Sequence, residues 1–137
     1  MTEHIRKTKS LPPKYDALTI GLTTKSREIL YDRIDSRVDD MINDGLLDEA
    51  KFLYTQPMGQ TARQAIGYKE LFSAFDGNCT IEQAISDIKQ ESRRYAKRQM
   101  TWFRRNNQIQ WLTFDESVKF PFLLEKAKEL LKIHDII

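Results

Sequence analysis

The sequence predicts a mainly α-helical domain that carries one or two short β-strands. Apolar residues recur at helical spacing through most of the 137 residues, and capping or turn residues divide the chain into separate helices. Only two short runs have the composition of strands. A hydrophobic content of 40% and a charged content of 31% indicate a soluble globular chain of single-domain size.

The N-terminal residues 1–14 are polar and basic and end in LPPK, which predicts a tail or linker before a folded region, 15–137. The next run, YDALTIGL at 15–22, is a short and mostly apolar strand candidate. Gly21 within it indicates that another group approaches the backbone closely.

Two helices are predicted next. An apolar stripe at helical spacing predicts a helix that begins at about Ser26; the stripe consists of Leu30, Ile34, Val38, Met41 and Ile42. This helix should end at NDG, where Gly45 can take the left-handed backbone conformation. The run LLDEAKFLY, 46–54, predicts a second helix. We expect most of the acidic residues within 32–49 to lie on a solvated face.

The segment TQPMGQ, 55–60, is a loop by its Pro and Gly. Thr61 and Gln64 fit a capping box, which predicts a helix over 62–75 that ends at DGN. Gly67 falls inside that helix, where glycine costs about 1 kcal/mol relative to alanine. Its presence is explained either by close helix–helix contact or by close passage of a ligand or nucleic-acid backbone beside Tyr68 and Lys69.

A second capping box, Thr80 with Gln83, opens a long helix. The alternating run IQWLTF, 109–114, is the second strand candidate, and a last helix is predicted over about 120–133. Because two strands alone make a poor sheet, we expect them to belong to a larger sheet with strands outside this chain.

The long helix has an unusual charge distribution. Residues 89–105 have a net charge of +6, opposed only by Glu91, which leaves −4 for the rest of a chain whose total is +2. At about 100° per residue, the apolar residues and Gln99 fall in one arc, and the basic residues fall with Thr101 in the opposite half. These basic residues, named the basic stripe, are Lys89, Arg93, Arg94, Lys97, Arg98, Arg104 and Arg105.

Each of these features has two interpretations. The basic stripe is either a solvated face or, since it lacks interleaved acids, a surface for a phosphate backbone. Gln99 either hydrogen-bonds a neighbouring backbone group or faces a cavity and reads a base. Arg33 and Arg37, one turn apart on the first helix, either lie along the surface and pair with nearby aspartates or bind a phosphate or pyrophosphate.

Several classes of protein are disfavoured. Cys79 is the one cysteine, so no disulfide forms within the chain, and its two His residues make no cluster at metal-ligand spacing. No apolar run approaches the roughly 18 residues of a membrane-spanning helix. We expect a cytoplasmic protein without membrane association.

Three stretches carry a resemblance to a known family: LYDRIDSRVDDMINDGLLDEAKFL, RQAIGYKEL and SRRYAKRQMTWFRR. From about Tyr15 to Leu112 the chain resembles the C-terminal part of the bacterial tRNA dimethylallyltransferases (tRNA isopentenyl transferases). The resemblance implies the C-terminal portion of an α/β core of the P-loop, nucleoside-triphosphate-hydrolase-like type. It also implies Mg²⁺ and transfer of a dimethylallyl group from dimethylallyl diphosphate to N6 of adenosine 37, flipped out of the tRNA anticodon stem-loop.

The resemblance further implies tRNA contacts from two segments. We expect phosphate and anticodon-loop contacts from Lys97, Arg98 and Arg104, and contacts near the flipped base from Gln99, Thr101 and Trp102. From their position on the first helix, Arg33 or Arg37 is expected to assist diphosphate or phosphate binding. Gln64 departs from the basic residue often found at its position, and Ser92 stands where Thr is common. The full set is Gln64, Ala65, Ile66, Gly67, Tyr68, Lys69, Lys97, Arg98, Gln99, Met100, Thr101, Trp102, Phe103 and Arg104.

One departure from the family pattern is larger. The P-loop motif G-x-x-x-x-G-K-S/T and the acidic residue that activates the adenine amine are absent from these 137 residues. We therefore expect a C-terminal piece, monomeric, that supplies no catalytic residue or metal ligand and does not catalyse transfer alone. Two rival interpretations are a non-catalytic RNA-binding helical module and an adenylate isopentenyltransferase that acts on free nucleotides.

Overall fold

The computed structural model describes residues 15, 17–114, 120–134 and 136, so the predicted tail at 1–14 lies outside the described part. The mainly helical class with two strands is confirmed. Contacts divide the chain into a helical unit, Thr24–Asn106, and a second unit, Met1–Thr23 with Asn107–Ile137. The elements are β1 (Thr19–Thr24), α1 (Arg27–Asn43), α2 (Leu46–Tyr54), α3 (Gln60–Arg63), α4 (Tyr68–Phe75), α5 (Ile81–Phe103), β2 (Ile109–Phe114) and α6 (Phe120–Ile133).

The core of the helical unit forms where α5 packs against α1 and α4, and α2 packs against α4. Ala50 and Ala84 are wholly buried, and their small side chains let neighbouring helices approach closely. Leu71 and Ile88 are the largest side chains with almost no exposed surface, and each contributes about 1.5–3 kcal/mol by its burial. The core cluster is Val38, Leu46, Ala50, Leu71, Phe72, Ala84 and Ile88.

The predicted ends of two helices are confirmed by their caps. At the start of α1, the Ser26 side chain accepts a hydrogen bond from the Ile29 N–H at 3.3 Å. Just after the end of α1, Gly45 has φ of 106°. The Thr80 hydroxyl accepts from the Gln83 N–H at 3.1 Å and opens α5. The run LLDEAKFLY is α2, as predicted.

The predicted helix over 62–75 ends at DGN as expected, but it is wrong as one continuous helix capped by Thr61, because Gly59 is the N-cap of its first turn. Its first part is the single turn α3, and the chain then turns before α4 begins at Tyr68. Gly67 is the N-cap of α4 with φ of 103° and ψ of −59°, a backbone conformation that a continuous helix cannot contain. Its N–H donates to Oε2 of the buried Glu70 at 2.9 Å. Gly67 is therefore explained by its backbone conformation and not by a position inside a helix. Close passage of a ligand or nucleic-acid backbone beside it stays a prediction.

The second unit contains a two-stranded parallel sheet, on which α6 packs through β2. The first strand begins at Thr19, later than the predicted start at Tyr15, whereas β2 and α6 have their predicted bounds. The close approach predicted at Gly21 is confirmed, because a Cβ there would lie 2.7 Å from both Ile109 Cγ2 and the Trp111 ring. A larger sheet with strands from outside this chain stays a prediction.

Replacing Gly67 with alanine tests the turn before α4. Gly67→Ala is expected to lower the free energy of unfolding by about 1–3 kcal/mol, since a left-handed backbone conformation is strained for a residue with a side chain. A clash would not be the cause, because the added Cβ would meet only Leu46 Cδ2, at 4.0 Å. Urea unfolding followed by far-ultraviolet circular dichroism measures the change.

Gly59→Ala is the matched control, because Gly59 has φ of −63° and nothing lies within 4 Å of its added Cβ. This control is expected to leave stability unchanged or to raise it by about 0.4–1 kcal/mol. Equal effects of the two substitutions would contradict the role given to the Gly67 conformation.

Candidate nucleic-acid interface

Helix α5 has 23 residues, a length of about 34 Å, and only its first half lies in the core. Its buried side chains are Ala84 and Ile88, and the core cluster contains no later residue of α5. On the same face further along, Tyr95 and Trp102 are 50% and 67% exposed. The predicted single apolar face is therefore core at its N-terminal end and solvent-exposed at its C-terminal end.

Three of the seven residues of the basic stripe form ion pairs within the chain. Lys89 Nζ lies 2.6 Å from Asp39 Oδ1, and Arg93 Nη1 lies 2.5 Å from Asp35 Oδ1 and 2.7 Å from Oδ2. Arg94 Nη1 lies 2.5 Å from Glu91 Oε1. The expectation that Glu91 alone opposes the stripe is wrong, because two acids of α1 also pair with it.

The same ion pairs correct the prediction that the acidic residues within 32–49 lie mostly on a solvated face. Asp35 and Asp39 are not merely solvated, since each faces a cation of α5. Their signal in the sequence was their spacing of four residues, which matches the spacing of Lys89 and Arg93.

The remaining four cations of the stripe lie in the last turns of α5 and just beyond it. Lys97, Arg98, Arg104 and Arg105 are exposed, and none pairs with a carboxylate among the described residues. The Arg98 guanidinium lies 5.8 Å from the centre of the Tyr95 ring. This end of the helix therefore presents uncompensated positive charge, which attracts polyanions.

A shallow groove runs along this cationic end of α5. Its lining residues are Arg94, Lys97, Arg98, Thr101, Trp102 and Arg105. The Thr101 hydroxyl donates to the Lys97 carbonyl oxygen at 2.9 Å, and the Trp102 ring meets Phe103 edge-on with 4.9 Å between centroids. An exposed indole beside guanidinium groups combines a stacking surface for a base with contacts for phosphates.

The loop before α4 lies beside α5, which the sequence could not show. Gln64, Ala65 and Ile66 line an apolar groove together with Ser92 and Tyr95 of α5. Gln64 and Lys69 also line a second cavity, between α4 and α5, in which Arg94 takes part. The structure therefore places the predicted segment 64–69 beside Ser92, Arg94 and Tyr95 of α5, and neither lining includes a residue of the other predicted segment, 97–104.

Gly67 and Tyr68 hold this loop in place and are not part of its exposed surface. The Tyr68 hydroxyl donates to Glu49 Oε1, and its ring stacks on Phe72 with 6.0 Å between centroids. The hydrogen bond to Glu49, with a smaller effect of burial, raises the pKa of Tyr68 above its ordinary value. Gln64, Ala65, Ile66 and Lys69 are the exposed members of the predicted segment.

The remaining predicted site residues lie on α5 and α1. Gln99 is exposed, so the cost of burying an unpaired amide does not arise there. Met100 is half-buried, and Phe103 is exposed. Arg33 and Arg37 are exposed on α1, and neither lines the grooves described above.

Sequence reasoning missed two kinds of residue at this surface. Glu70 is buried and accepts from the Gly67 N–H; its signal was its position three residues after the glycine. Arg105, which the sequence analysis already placed in the basic stripe, lines the cationic groove with Thr101 although it lies outside the predicted tRNA-binding set. Asp35 and Asp39 complete the set through their ion pairs with α5.

No three His, Cys, Asp or Glu side chains of the described residues are grouped to hold a metal ion. No described helix is both long and apolar enough to cross a bilayer.

Comparison with known proteins identifies relatives. A tRNA dimethylallyltransferase of Halalkalibacterium halodurans is 43% identical over 138 residues, covering 100% of this chain and 41% of that protein. One of Christiangramia forsetii is 54% identical over 105 residues, covering 77% of this chain and 34% of the relative. The crystal structure of the full-length tRNA isopentenylpyrophosphate transferase from Bacillus halodurans matches with a TM-score of 0.82 and 42% identity. That match covers 93% of this chain and 42% of that one.

The chain thus spans less than half the length of these relatives. A family model described as IPP transferase matches residues 1–106, which is most of the sequence. On this match and these identities, the chain belongs to the IPP transferase family.

Proposed function

We propose that this chain acts in tRNA modification as the C-terminal part of a tRNA dimethylallyltransferase and supplies contacts to the tRNA anticodon stem-loop. The observation that carries the proposal is the cluster of exposed cations at the end of α5: Lys97, Arg98, Arg104 and Arg105. Among the described residues these cations have no carboxylate partner, so a polyanion is the natural counter-charge. The relatives are named for tRNA, which makes RNA the polyanion of choice.

Each group at this surface has a distinct role. Lys97, Arg98 and Arg104 bind backbone phosphates, for which guanidinium groups offer two parallel donors. Trp102 and Gln99, both exposed, lie near the flipped adenosine, where the indole can stack and the amide can hydrogen-bond. The exposed loop residues Gln64, Ala65, Ile66 and Lys69 extend the contact beside α5.

In the proposed reaction, N6 of adenosine 37 forms a bond to the five-carbon group while the bond from that carbon to the diphosphate oxygen breaks. The amine proton leaves to a base, and the diphosphate leaves as an anion. Arg33 and Arg37, one turn apart and exposed, are candidates to bind that anion. Mg²⁺ would supply charge neutralisation for diphosphate, although no three His, Cys, Asp or Glu side chains of the described residues are grouped to hold it.

We propose that the chain works as a monomer in the cytoplasm, where tRNA is available. A non-catalytic RNA-binding module is the second candidate, and the completeness of the cationic end of α5 within this chain favours it. An adenylate isopentenyltransferase would need no such extended surface for a free nucleotide.

Charge reversal at the end of α5 tests the RNA contact. The double variant Arg98→Glu, Arg104→Glu is expected to weaken binding of an anticodon stem-loop RNA at least about tenfold, because two phosphate contacts become repulsions. The slope of log affinity against log salt should become shallower by about 1.4, at roughly 0.7 per lost contact with a single strand. Fluorescence anisotropy over a salt series measures both quantities.

The control for this test is Lys51→Glu, Lys132→Glu, which changes net charge equally but outside the basic stripe. It is expected to alter affinity much less. Equal losses in both double variants would mean that only total charge matters, and the proposed surface would then be rejected.

A second test concerns the exposed indole. Trp102→Ala is expected to cost about 1–3 kcal/mol of RNA binding, the usual contribution of one aromatic–base stack. Trp102→Phe should retain part of that energy because it keeps an aromatic face. Quenching of Trp102 fluorescence by RNA, read in a Trp111→Phe background, reports the stack directly, and unchanged emission on saturation would contradict it.

The division between RNA binding and chemistry is tested by activity. The 137-residue chain, mixed with tRNA, dimethylallyl diphosphate and Mg²⁺, is expected to bind tRNA and to form no prenylated product, since it lacks the P-loop motif for a diphosphate. Mass spectrometry of nucleosides from the digested tRNA is the measurement. Product formation above a protein-free control would assign the chemistry to residues within this chain.

A further inference from the structure

Two ion pairs join α1 to α5 in a regular register. Asp35 pairs with Arg93, and Asp39 pairs with Lys89, so a step of four residues up α1 matches a step of four down α5. The two helices therefore run antiparallel along this contact. Each carboxylate faces one cation of the stripe, which leaves the N-terminal half of the stripe close to neutral.

The register also explains where the neutral part ends. One more step of four residues would bring position 31 level with position 97, and position 31 is a tyrosine. On the other flank of α5, Glu91 pairs with Arg94, and no carboxylate among the described residues pairs with Arg98 one turn later. The boundary between compensated and uncompensated cations therefore falls between Arg94 and Lys97.

We propose that Asp35 and Asp39 are specificity-determining residues that set the edge of the RNA-binding surface, an inference that rests on the proposed function. By pairing with Arg93 and Lys89 they withdraw these cations from phosphates, so that within the basic stripe RNA contacts only the cations from Lys97 to Arg105. The partner is the RNA sugar–phosphate backbone, which carries one negative charge per nucleotide.

The exposure of these pairs supports an effect on approaching RNA. The Asp39 side chain is 54% exposed and that of Asp35 is 36% exposed, so a phosphate that came near Lys89 or Arg93 would meet a carboxylate. The cations are more buried than the carboxylates, since the Lys89 and Arg93 side chains are 24% and 29% exposed, and the pairs therefore also help to join α1 to α5. The more exposed carboxylates face the solvent from which RNA approaches, so the same pairs exclude phosphates from Lys89 and Arg93.

The proposal predicts that an unpaired Lys89 becomes a new RNA contact. Asp39→Asn, nearly the same shape without charge, should tighten binding of an anticodon stem-loop RNA about three- to tenfold at roughly 50 mM salt and steepen the salt slope by about 0.7. Lys89→Gln alone should not weaken binding, although Lys97→Gln on the same flank of α5 should weaken it about three- to tenfold. The double variant Asp39→Asn, Lys89→Gln should return to the slope of the unaltered chain.

The outcomes separate this inference from the proposed function. If Arg98→Glu, Arg104→Glu abolishes binding but Asp39→Asn changes neither affinity nor salt slope, the boundary is rejected and the RNA surface stands. If the unaltered chain does not bind the RNA, both are rejected. If Asp39→Asn loses helical circular dichroism, the two single lysine variants decide instead. The proposal is then overturned if Lys89→Gln weakens RNA binding as much as Lys97→Gln does.

Discussion

The burial of the first half of α5 is the constraint on which the rest of the helical unit depends. Ala84 and Ile88 lie in the core with residues of α1, α2 and α4, and this packing sets the direction of a helix about 34 Å long. A helix is stiff over that length, so its last turns extend beyond the core without needing apolar support of their own. Cations and an exposed indole can therefore occupy those turns at little cost to stability.

The loop before α4 depends on a second constraint, which is local. Gly67 takes a backbone conformation closed to other residues, and the buried carboxylate of Glu70 accepts its N–H. Tyr68 then anchors the start of α4 through Glu49 and Phe72. These contacts fix the turn before α4. Residues 64–66 line a groove with Tyr95 of α5, so this loop and α5 form one surface although they are distant in sequence.

The net charge of this surface depends on the ion pairs between and within helices as well as on the number of cations in α5. The seven cations of the stripe look equivalent along the sequence, yet Asp35, Asp39 and Glu91 engage three of them. The uncompensated remainder is concentrated in little more than two turns, beside Trp102. The proposed RNA contact depends on this concentration of positive charge.

The sequence by itself determined the helical class, the ends of α1 and α2, the start of α5, the second strand, the close approach at Gly21 and the asymmetry of charge. These features follow from periodicity, capping and composition, which act over a few residues. It missed the break between α3 and α4, because the capping pattern of Thr61 with Gln64 predicted one helix, whereas Gly59 caps α3 and Gly67 begins α4. Only the tertiary structure decided which cations are neutralised and where the apolar face of α5 leaves the core. Both depend on which helix lies opposite, and that is a contact between residues some 50 positions apart, as in the pair of Lys89 with Asp39.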